Sequence, residues 1–470
     1  MKKEQIFKVM KDYAVPAGII LFAVLYQVMI LGRHALHIDE ALYSFWALKV
    51  AAGQDILLHK TYTDKFPILS YIIAVFMKIW GGNDVVARIP NIIVTAVIIL
   101  AVYRAAVGFG LFAAAAAACF TVFNSYFISF GPSVFVDPLM VLFVFLSAIK
   151  ISEKKYKTAG IFMGIAVMAK ITALFFFLPA AAYLFIIERK RIKTAFAGIW
   201  KGFWPLFLFL FLWAGLVQLH SFRLFYNNIP GGGEGKPPLE VMSTLGSSLL
   251  YFIGAAQIII FWTYAFVCAR TKKVCGERDL IVMLYGGSFF IFLWLVAAAG
   301  GTIYDRYLLV LVPFFAVISA AALKKAAGIF RGQKTKKAVN AAAIFVSVLI
   351  CVSVFLKEPG SGAFYGANDS FRETASMIPD DPNGVVLGYG VNYWLMQYYY
   401  FEKGEVFSFK LSPEGLLDSC RILNEKAEKN FYAVTSENFE PGNLREICDL
   451  EKDFEIAGNA GKDPVVYVIR

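Results

Sequence analysis

Two short stretches near the start of the chain carry ionisable side chains at spacings that could do chemistry. Asp39 and Glu40 stand side by side after the first long apolar run, and Asp64 and Lys65 stand just before Phe66-Pro67. A carboxylate can take a proton from an attacking hydroxyl, and a lysine can stabilise developing negative charge. Charged groups beside strongly apolar segments are costly, so this placement predicts a site.

Further charged and polar side chains recur between the later apolar runs. The members of this set are Arg88, Asp137, Lys170, His220, Arg223 and Arg306. Taken alone, Asp39 or Asp137 could be a helix cap, the cations could be membrane-surface anchors, and His220 could be an ordinary loop residue. Both signs of charge nevertheless recur on segments that join different apolar runs, and this convergence favours one shared site.

The chemistry that needs both signs of charge is transfer from a lipid-linked phosphate. Breaking a bond to phosphate leaves negative charge on its oxygens, which Lys65 and Arg306 would stabilise in a site of low dielectric constant. An ordinary aspartate is ionised at neutral pH and can accept a proton. The sequence has no P-loop, no glycine-rich dinucleotide fingerprint, no CxxC and no HExxH motif, so nucleotide-driven and thiol redox chemistry lack support.

The composition is that of a protein embedded in a membrane. The 470 residues are 59% hydrophobic and 17% charged, and the mean hydropathy is +0.63. Many apolar runs of about 15 or more residues predict an all-α polytopic protein of the plasma membrane. The net charge of +11 lies mainly in short loops between these runs, which favours a membrane partner and argues against nucleic acid.

The basic loops also predict the sidedness of the chain. Clusters at 2–11, 150–157, 189–201, 270–278 and 324–337 place these loops in the cytoplasm. About eleven crossing helices then put the amino terminus inside, with a short outer interfacial helix after Asp39 and an interfacial or re-entrant helix at 66–80. Residues 158–187 form two short legs that turn near Lys170, so we expect this lysine to lie recessed in a polar cavity.

The polar carboxyl-terminal region predicts a second domain. We divide the chain into a membrane catalytic domain, 1–356, and a soluble extracytoplasmic α/β domain, 357–470. Strands are predicted at 385–387, 432–434 and 465–469. Ser370 and Glu373 form a capping-box pattern, and Ser412-Pro413 is typical of a helix start. The spacing of Cys420 and Cys448 allows a disulfide without requiring one.

In their order along the chain, these motifs resemble the GT-C superfamily of polyprenyl-phosphate-sugar-dependent glycosyltransferases. The likeness is nearest to the bacterial branch similar to protein O-mannosyltransferases and the lipid A aminoarabinose transferase, and it covers about residues 10–325. The matching elements are Asp39-Glu40, Asp64-Lys65-Phe66-Pro67 with Phe66 in place of the family's first proline, Arg88-Ile89-Pro90, Asp137-Pro138, Lys170, Asn227-Asn228 with the following glycine run, and Arg306-Tyr307-Leu308-Leu309 with Pro313.

The resemblance implies an inverting glycosyltransferase with its active site on the outer face. The donor would be a polyprenyl-phosphate-linked sugar, and the acceptor an extracytoplasmic lipid, glycan or protein. Asp39 would be the base, with Glu40 beside it, and Asp137 would assist or help to hold a metal ion. These three residues form the catalytic set that the resemblance implies.

The same resemblance implies three further sets of residues. Those expected to bind the donor phosphate are Lys65, Arg88, Lys170 and Arg306. Those expected on substrate-binding loops are Tyr304, Tyr307, Asn227 and Asn228. Relatives differ in their use of a divalent metal ion, for which the candidate ligands are Asp64 and His220.

Two other classes of protein stay open at the level of sequence. A polytopic transporter or a flippase of lipid-linked sugars would also carry charges in its membrane part, but such proteins often show inverted repeats, and none is visible here. A binding or sensory protein could act through residues 357–470 and use the helices only as an anchor. About eleven helices with organised polar loops are more than an anchor needs.

Overall fold

The structure is a computed structural model. It describes residues 3–31, 34–61, 63, 65–217, 242–243, 245, 255–270, 276–298, 304–329, 369–381, 383–410, 413–426, 428–435, 448, 454–459 and 465–469. Four predicted site residues lie outside the described residues, namely Asp64, His220, Asn227 and Asn228. The predicted crossing at 340–356 also lies outside them, and so does Arg223.

Helices make up most of the chain before residue 330. In chain order they are α1 (Lys3–Leu31), α2 (Ile38–Ala51), α3 (Ile68–Trp80), α4 (Asp84–Ala106), α5 (Leu111–Val122), α6 (Ser125–Phe130), α7 (Asp137–Ser152), α8 (Tyr156–Ala169), α9 (Phe177–Ile187), α10 (Ile192–Val217), α11 (Ala255–Arg270), α12 (Glu277–Ala298) and α13 (Leu311–Ile329). Short 3-10 turns lie at Val107–Phe109, Ile171–Phe176 and Asp305–Val310. The predicted all-α class of the membrane part is confirmed.

Several of these helices have the length and apolarity of membrane spans. Within the described ranges, the four that are long enough to cross are Asp84–Phe109, Ile192–Leu216, Glu277–Ala298 and Arg306–Lys325. The shorter apolar helices are Ala14–Met29, Ile68–Trp80, Leu111–Val122, Tyr156–Ala169 and Ile171–Ile187. The count of eleven crossings and their sidedness stay predictions.

Contacts divide the chain into two units. The first takes in the described residues of Met1–Met29, Asp55–Ile72 and Arg88–Pro359. The second takes in those of Ile30–Gln54, Ile73–Ala87 and Gly360–Arg470. Two segments from the first hundred residues therefore group with the carboxyl-terminal region. The predicted division has a single boundary after residue 356, whereas these units are discontinuous in sequence. The two-domain division stays a prediction.

In the first unit, α8 and α10 pack with their backbones close together. A Cβ atom at Gly160 would collide with the carbonyl oxygen of Ile199, and one at Gly202 would collide with the carbonyl oxygen of Lys157. Small residues at such crossings let two membrane helices approach closely, which increases their van der Waals contact. This packing fixes α8, whose last residue directly precedes Lys170.

Aromatic packing joins three helices of the first unit to the 3-10 turn that follows Lys170. The ring of Phe176, in the 3-10 turn after Lys170, stacks on Tyr285 of α12 at a centroid distance of 5.6 Å. Tyr285 stacks in turn on Phe314 of α13, and Phe314 contacts Phe145 of α7 at 5.3 Å. Aromatic pairs of this kind stabilise beyond the burial of their area. The core thus ties α7, α12 and α13 to the turn that follows α8.

In the second unit, a sheet of five strands follows α2 in the chain. Its elements are α14 (Asp369–Ala375), β1 (Val385–Tyr389), α15 (Tyr393–Tyr399), β2 (Glu405–Phe409), α16 (Pro413–Glu425), β3 (Phe431–Thr435), β4 (Phe454–Asn459) and β5 (Val465–Ile469). The strand order is β2-β1-β3-β5-β4, with β2, β1 and β3 parallel and β5 antiparallel to β3 and β4. This confirms the predicted α/β class.

The sequence located three of these strands and missed two. β1, β3 and β5 overlap the predicted runs, and β1 and β3 are buried at every position. β2 and β4 were not predicted, because β2 is short and begins with the charged Glu405, and Gly458 lies at a bulge in β4. The helix start at Pro413 is confirmed. The predicted cap at Ser370 is wrong, because α14 already contains this residue.

A disulfide joins Cys420 on α16 to Cys448, 28 residues further along the chain. Both cysteines are buried in the core on one face of the sheet. The sequence left this pairing open, and the structure shows it. Disulfides are rare in reducing compartments, so the bond bears on where this region of the protein resides.

Candidate active site

The carboxylate of Asp137 is the centre of a cluster of charges in the first unit. Asp137 is the first residue of α7, and its side chain is almost fully buried. The Nζ atom of Lys170 lies 2.7 Å from its Oδ1, and the Nε atom of Arg306 lies 3.9 Å from its Oδ2. The structure therefore brings together three residues that are far apart in sequence and were predicted to share one site.

Hydrogen bonds from α4 hold the loop before α7. Asn91 of α4 donates through Nδ2 to the carbonyl oxygen of Phe135 at 2.8 Å and also to that of Ser133. The cap position of α7 is Val136, and no side-chain hydrogen bond caps this helix end. The capping interpretation of Asp137 is therefore wrong. With the cap elsewhere, the Asp137 carboxylate is directed to the two cations.

Lys170 lies at a break between two short helical legs. It follows the end of α8 with extended backbone angles, φ −153° and ψ 121°, and the 3-10 turn begins at the next residue. Its ammonium also lies 3.8 Å from the centroid of the Tyr307 ring. The break near Lys170 is confirmed. A lysine that contacts both a carboxylate and a ring face is held in one position.

Arg306 lies in the 3-10 turn before α13, between aromatic rings. Its guanidinium carbon is 4.8 Å from the Phe135 ring centroid and 4.7 Å from that of Tyr304. Tyr304 is half exposed and makes an edge contact with Tyr307 at 5.6 Å. Both predicted tyrosines therefore contact cations of the cluster. The interpretation of Arg306 as a plain membrane-surface anchor is wrong, because its charge faces Asp137.

Two more predicted phosphate-binding cations belong to the first unit. Lys65 is partly buried, and it lies close enough to Lys170 for the two positive charges to repel each other. Arg88 is fully buried, one turn before Asn91 on α4. A fully buried guanidinium does not reach to the membrane surface, so the anchor interpretation of Arg88 is wrong.

Asp39 and Glu40 lie in the second unit, at the start of α2. The cap residue is His37, whose side-chain Nδ1 accepts from the backbone N–H of Asp39 at 3.2 Å. The backbone N–H of His37 donates to Oε2 of Glu40 at 2.9 Å. The capping interpretation of Asp39 is therefore wrong. Glu40 is fully buried and completes this capping box, which gives it a structural role. Asp39 is partly exposed and remains the candidate base of the pair.

The described residues contain no cluster typical of a metal centre. Across these ranges, no group of three or more His, Cys, Asp or Glu side chains lies together. The carboxylate of Asp137 is contacted by cations on both oxygens, which does not fit a metal ligand. A metal at Asp64 and His220 stays a prediction, because both candidates lie outside the described residues.

Asp55 closes the loop that leads to Lys65. Its carboxylate accepts from the backbone N–H groups of His59, Lys60 and Thr61 at 2.9 to 3.0 Å and from the Thr61 hydroxyl at 2.8 Å. The Nδ1 atom of His59 also lies 3.0 Å from Oδ1. Burial alone would raise the pKa of Asp55, but these hydrogen bonds outweigh it and hold the pKa below its ordinary 3.8.

This loop is expected to loosen in acid. The pKa of Asp55 is lower in the folded than in the unfolded chain, so its stabilisation is complete above the unfolded value and is lost as the pH falls through the folded value. Hydrogen exchange at the amides of His59, Lys60 and Thr61, corrected for intrinsic rates, should lose protection as the pH falls from about 6 to below about 3. In Asp55→Asn the pH dependence should disappear. Undiminished protection in the wild type at the lowest pH would contradict the assignment.

Part of this chain matches the model of a known protein family. Residues 64–213 match the model of the family described as dolichyl-phosphate-mannose-protein mannosyltransferase. The match covers less than half of the chain and includes Lys65, Arg88, Asp137 and Lys170. No curated protein matches the chain.

Solved structures share the fold at low sequence identity. ArnT from Cupriavidus metallidurans in the apo state has a TM-score of 0.70 at 12% identity, and the alignment covers 96% of this chain and 97% of ArnT. The same protein bound to undecaprenyl phosphate gives 0.66 at 11% identity, with the same coverage. The apo oligosaccharyltransferase from Archaeoglobus fulgidus gives 0.59 at 11% identity, covering 90% of this chain and 69% of the archaeal one.

The shared fold is that of the GT-C membrane glycosyltransferases. The family match and the shared fold agree with the predicted resemblance to the GT-C superfamily, and they support a polyprenyl-phosphate-dependent membrane glycosyltransferase. The predicted enzyme class is therefore confirmed.

Two parts of the site were not predicted from the sequence. Asn91 braces the loop before α7, and Phe135 packs against the guanidinium of Arg306. Asn91 follows the Arg88-Ile89-Pro90 motif and lies one helical turn after Arg88, so its polar side chain in an apolar helix was the available signal. Phe135 gave no signal, because phenylalanine is common throughout this chain.

Proposed function

We propose that the protein transfers a sugar, with inversion at the anomeric carbon, from a polyprenyl phosphate to an acceptor outside the cytoplasm. The observation that carries the proposal is the gathering of Lys170 and Arg306 around the buried Asp137. Cations held in place before the reaction stabilise the charge that develops in the transition state without having to reorganise. A phosphate leaving group is the ligand that this set of side chains favours.

Inversion corresponds to a single displacement at the anomeric carbon. An acceptor hydroxyl oxygen attacks the anomeric carbon, the bond from that carbon to the phosphate oxygen breaks, and the electron pair goes to the phosphate. Lys170 and Arg306 bind the phosphate oxygens. Asp137 is a positioning residue, because its two oxygens orient these two cations. The proton of the hydroxyl goes to a carboxylate, for which the family resemblance favours Asp39.

Two observations support the donor lipid and the location of the soluble part. The ArnT structure holds undecaprenyl phosphate, and the matching family is named for dolichyl phosphate; both are polyprenyl phosphates. The disulfide of Cys420 and Cys448 fits an oxidising compartment, which supports an extracytoplasmic carboxyl-terminal region. The acceptor is a cell-envelope lipid, glycan or protein.

Sugar transfer from a synthetic donor tests the proposal. Purified full-length protein, given radiolabelled polyprenyl-phosphate sugars and cell-envelope extract, should attach label to an acceptor. Lys65→Ala should lower the rate at least about tenfold, because it removes a cation from the phosphate site. Lys60→Ala is the matched control, because this lysine is exposed in the same loop.

Two outcomes would count against the proposal. Equal rates in Lys65→Ala and Lys60→Ala would remove Lys65 from the donor site. Accumulation of the intact lipid-linked sugar across sealed vesicles, with no new glycosidic bond, would favour the flippase alternative.

A further inference from the structure

A second candidate site lies within the second unit. It is a cavity of about 560 Å³ whose walls come from α2, from the start of α4 with the loop before it, and from the carboxyl-terminal region between 372 and 403. This volume lies in the range of small-molecule pockets, about 300–1,000 Å³. None of the roles assigned above uses this cavity.

One wall of the cavity is held rigidly by hydrogen bonds. Oδ2 of the buried Asp84 accepts from the Tyr399 hydroxyl at 3.0 Å, and Nη1 of Arg372 lies 3.6 Å from the same oxygen. The Tyr399 hydroxyl in turn accepts from the backbone N–H of Leu36 at 2.6 Å. These contacts hold a carboxylate and a guanidinium in fixed positions at the cavity wall, which reduces the cost of ordering them around a ligand.

The rest of the lining is polar and carries more carboxylates than cations. Lys403 pairs with Asp380 at 2.6 Å, and Glu402 is exposed beside them. Oδ1 of Asn83 accepts from the backbone N–H of Val86, so its amide nitrogen is the part that can donate to a ligand. Asp84, Asp380 and Glu402 outnumber Arg372 and Lys403 in the lining, which disfavours an anionic ligand such as the donor phosphate.

Aromatic rings complete the lining. Tyr399 and Phe401 both border the cavity, and Lys49 of α2 lies 5.8 Å from the Phe401 ring centroid. Apolar ring surface beside planar carboxylate, amide and guanidinium groups suits a ligand that has C–H faces and many hydroxyls. A sugar ring has both features. A purely apolar ligand would desolvate the charged groups of the lining without adding hydrogen bonds to them, which is costly.

We propose that this cavity binds a neutral glycan, and that this glycan is the acceptor of the transferase. The acceptor role rests on the proposed function, whereas the binding of a glycan by the cavity does not. The carboxylates of Asp380 and Glu402 accept from sugar hydroxyls, Arg372 and Asn83 donate to them, and Phe401 contacts the ring. The acceptor is accordingly a hydroxyl-rich saccharide, free or on a lipid, and not a peptide.

Glycan binding by the full-length protein tests whether the cavity takes a neutral glycan. The detergent-solubilised wild type is applied to an array of immobilised neutral oligosaccharides built from hexoses, deoxyhexoses and N-acetylhexosamines. We expect it to retain at least one of them, and Asp380→Ala and Glu402→Ala to weaken that binding at least about tenfold, through loss of a charge-assisted hydrogen bond. Glu425→Ala is the matched control, because this carboxylate is also exposed but lies on α16, outside the cavity. Equal thermal unfolding midpoints exclude a folding defect.

The outcomes separate the two proposals. Lys170→Met should lower transfer by at least about a hundredfold and leave glycan binding unchanged, whereas the cavity variants should raise the acceptor KM. If the wild type transfers no sugar, the proposed function fails, and the array still decides whether the cavity binds glycan. No retained glycan, or equal retention by all variants, overturns the cavity proposal. Binding of serine- and threonine-containing peptides alone, weakened by the same variants, overturns it in favour of a protein acceptor.

Discussion

Replacing Lys170 by methionine is expected to lower sugar transfer by about two to three orders of magnitude, the effect typical of removing one fixed group that stabilises transition-state charge. Methionine has nearly the same length and fills the space beside the Tyr307 ring, but it carries no charge. The donor phosphate would then lose a cation that is held 2.7 Å from Asp137 in the free protein. The measurement is the initial rate of transfer at saturating donor, with bound donor measured separately.

The control for this variant is Lys155→Met, because Lys155 is an exposed lysine that pairs with Glu153 and lies at the opposite end of α8 from Lys170. A second variant separates chemistry from stability. Lys170→Met leaves the buried Asp137 carboxylate with one cation fewer and should lower the thermal unfolding midpoint. Adding Asp137→Asn removes that charge and should restore stability without restoring transfer. Recovery of both together would mean that Lys170 only stabilises the fold.

Replacing Asp39 by asparagine is expected to lower transfer by about two to four orders of magnitude, the range for loss of a general base. Asparagine keeps the shape of the side chain and leaves the start of α2 intact, because the helix is capped by His37 and Glu40. The donor KM should change little, since Asp39 is proposed to act on the acceptor hydroxyl and not on the donor phosphate. The measurement is kcat together with KM for donor and acceptor.

Glu40→Gln is the matched control for the Asp39 variant. The glutamine amide oxygen can still accept from the backbone N–H of His37, so the cap, the fold and most of the transfer activity should persist. If Glu40→Gln abolished transfer in a folded protein while Asp39→Asn did not, the base would have to be reassigned. If both variants stayed fully active, neither carboxylate would be the base.

The sequence predicted the charge cluster because a membrane restricts the alternatives. Helices are the main way to satisfy the backbone in lipid, and basic loops mark one side, so the segments that carry Asp137, Lys170 and Arg306 were expected to end together. The break at Lys170 followed from length alone, because two legs fit between two basic clusters only if the chain turns near this residue. The contacts of these three residues agree with that reasoning.

Other features could not be predicted, because they depend on packing between distant segments. Nothing near Glu40 showed that His37 would act as a cap, since histidine is a less common cap than serine or aspartate. The grouping of residues 30–54 and 73–87 with the carboxyl-terminal region depends on contacts such as that of Tyr399 with Asp84, which are 315 positions apart. The cavity follows from the same long-range contacts, so it has no local signature.

The close packing of α8 against α10 restricts how a lipid substrate can gain access. Gly160 and Gly202 lie against opposing carbonyl groups, so a larger side chain at either position would force the two helices apart. We therefore expect a polyprenyl tail to enter along a different wall of the bundle, away from the helix pair that ends at Lys170.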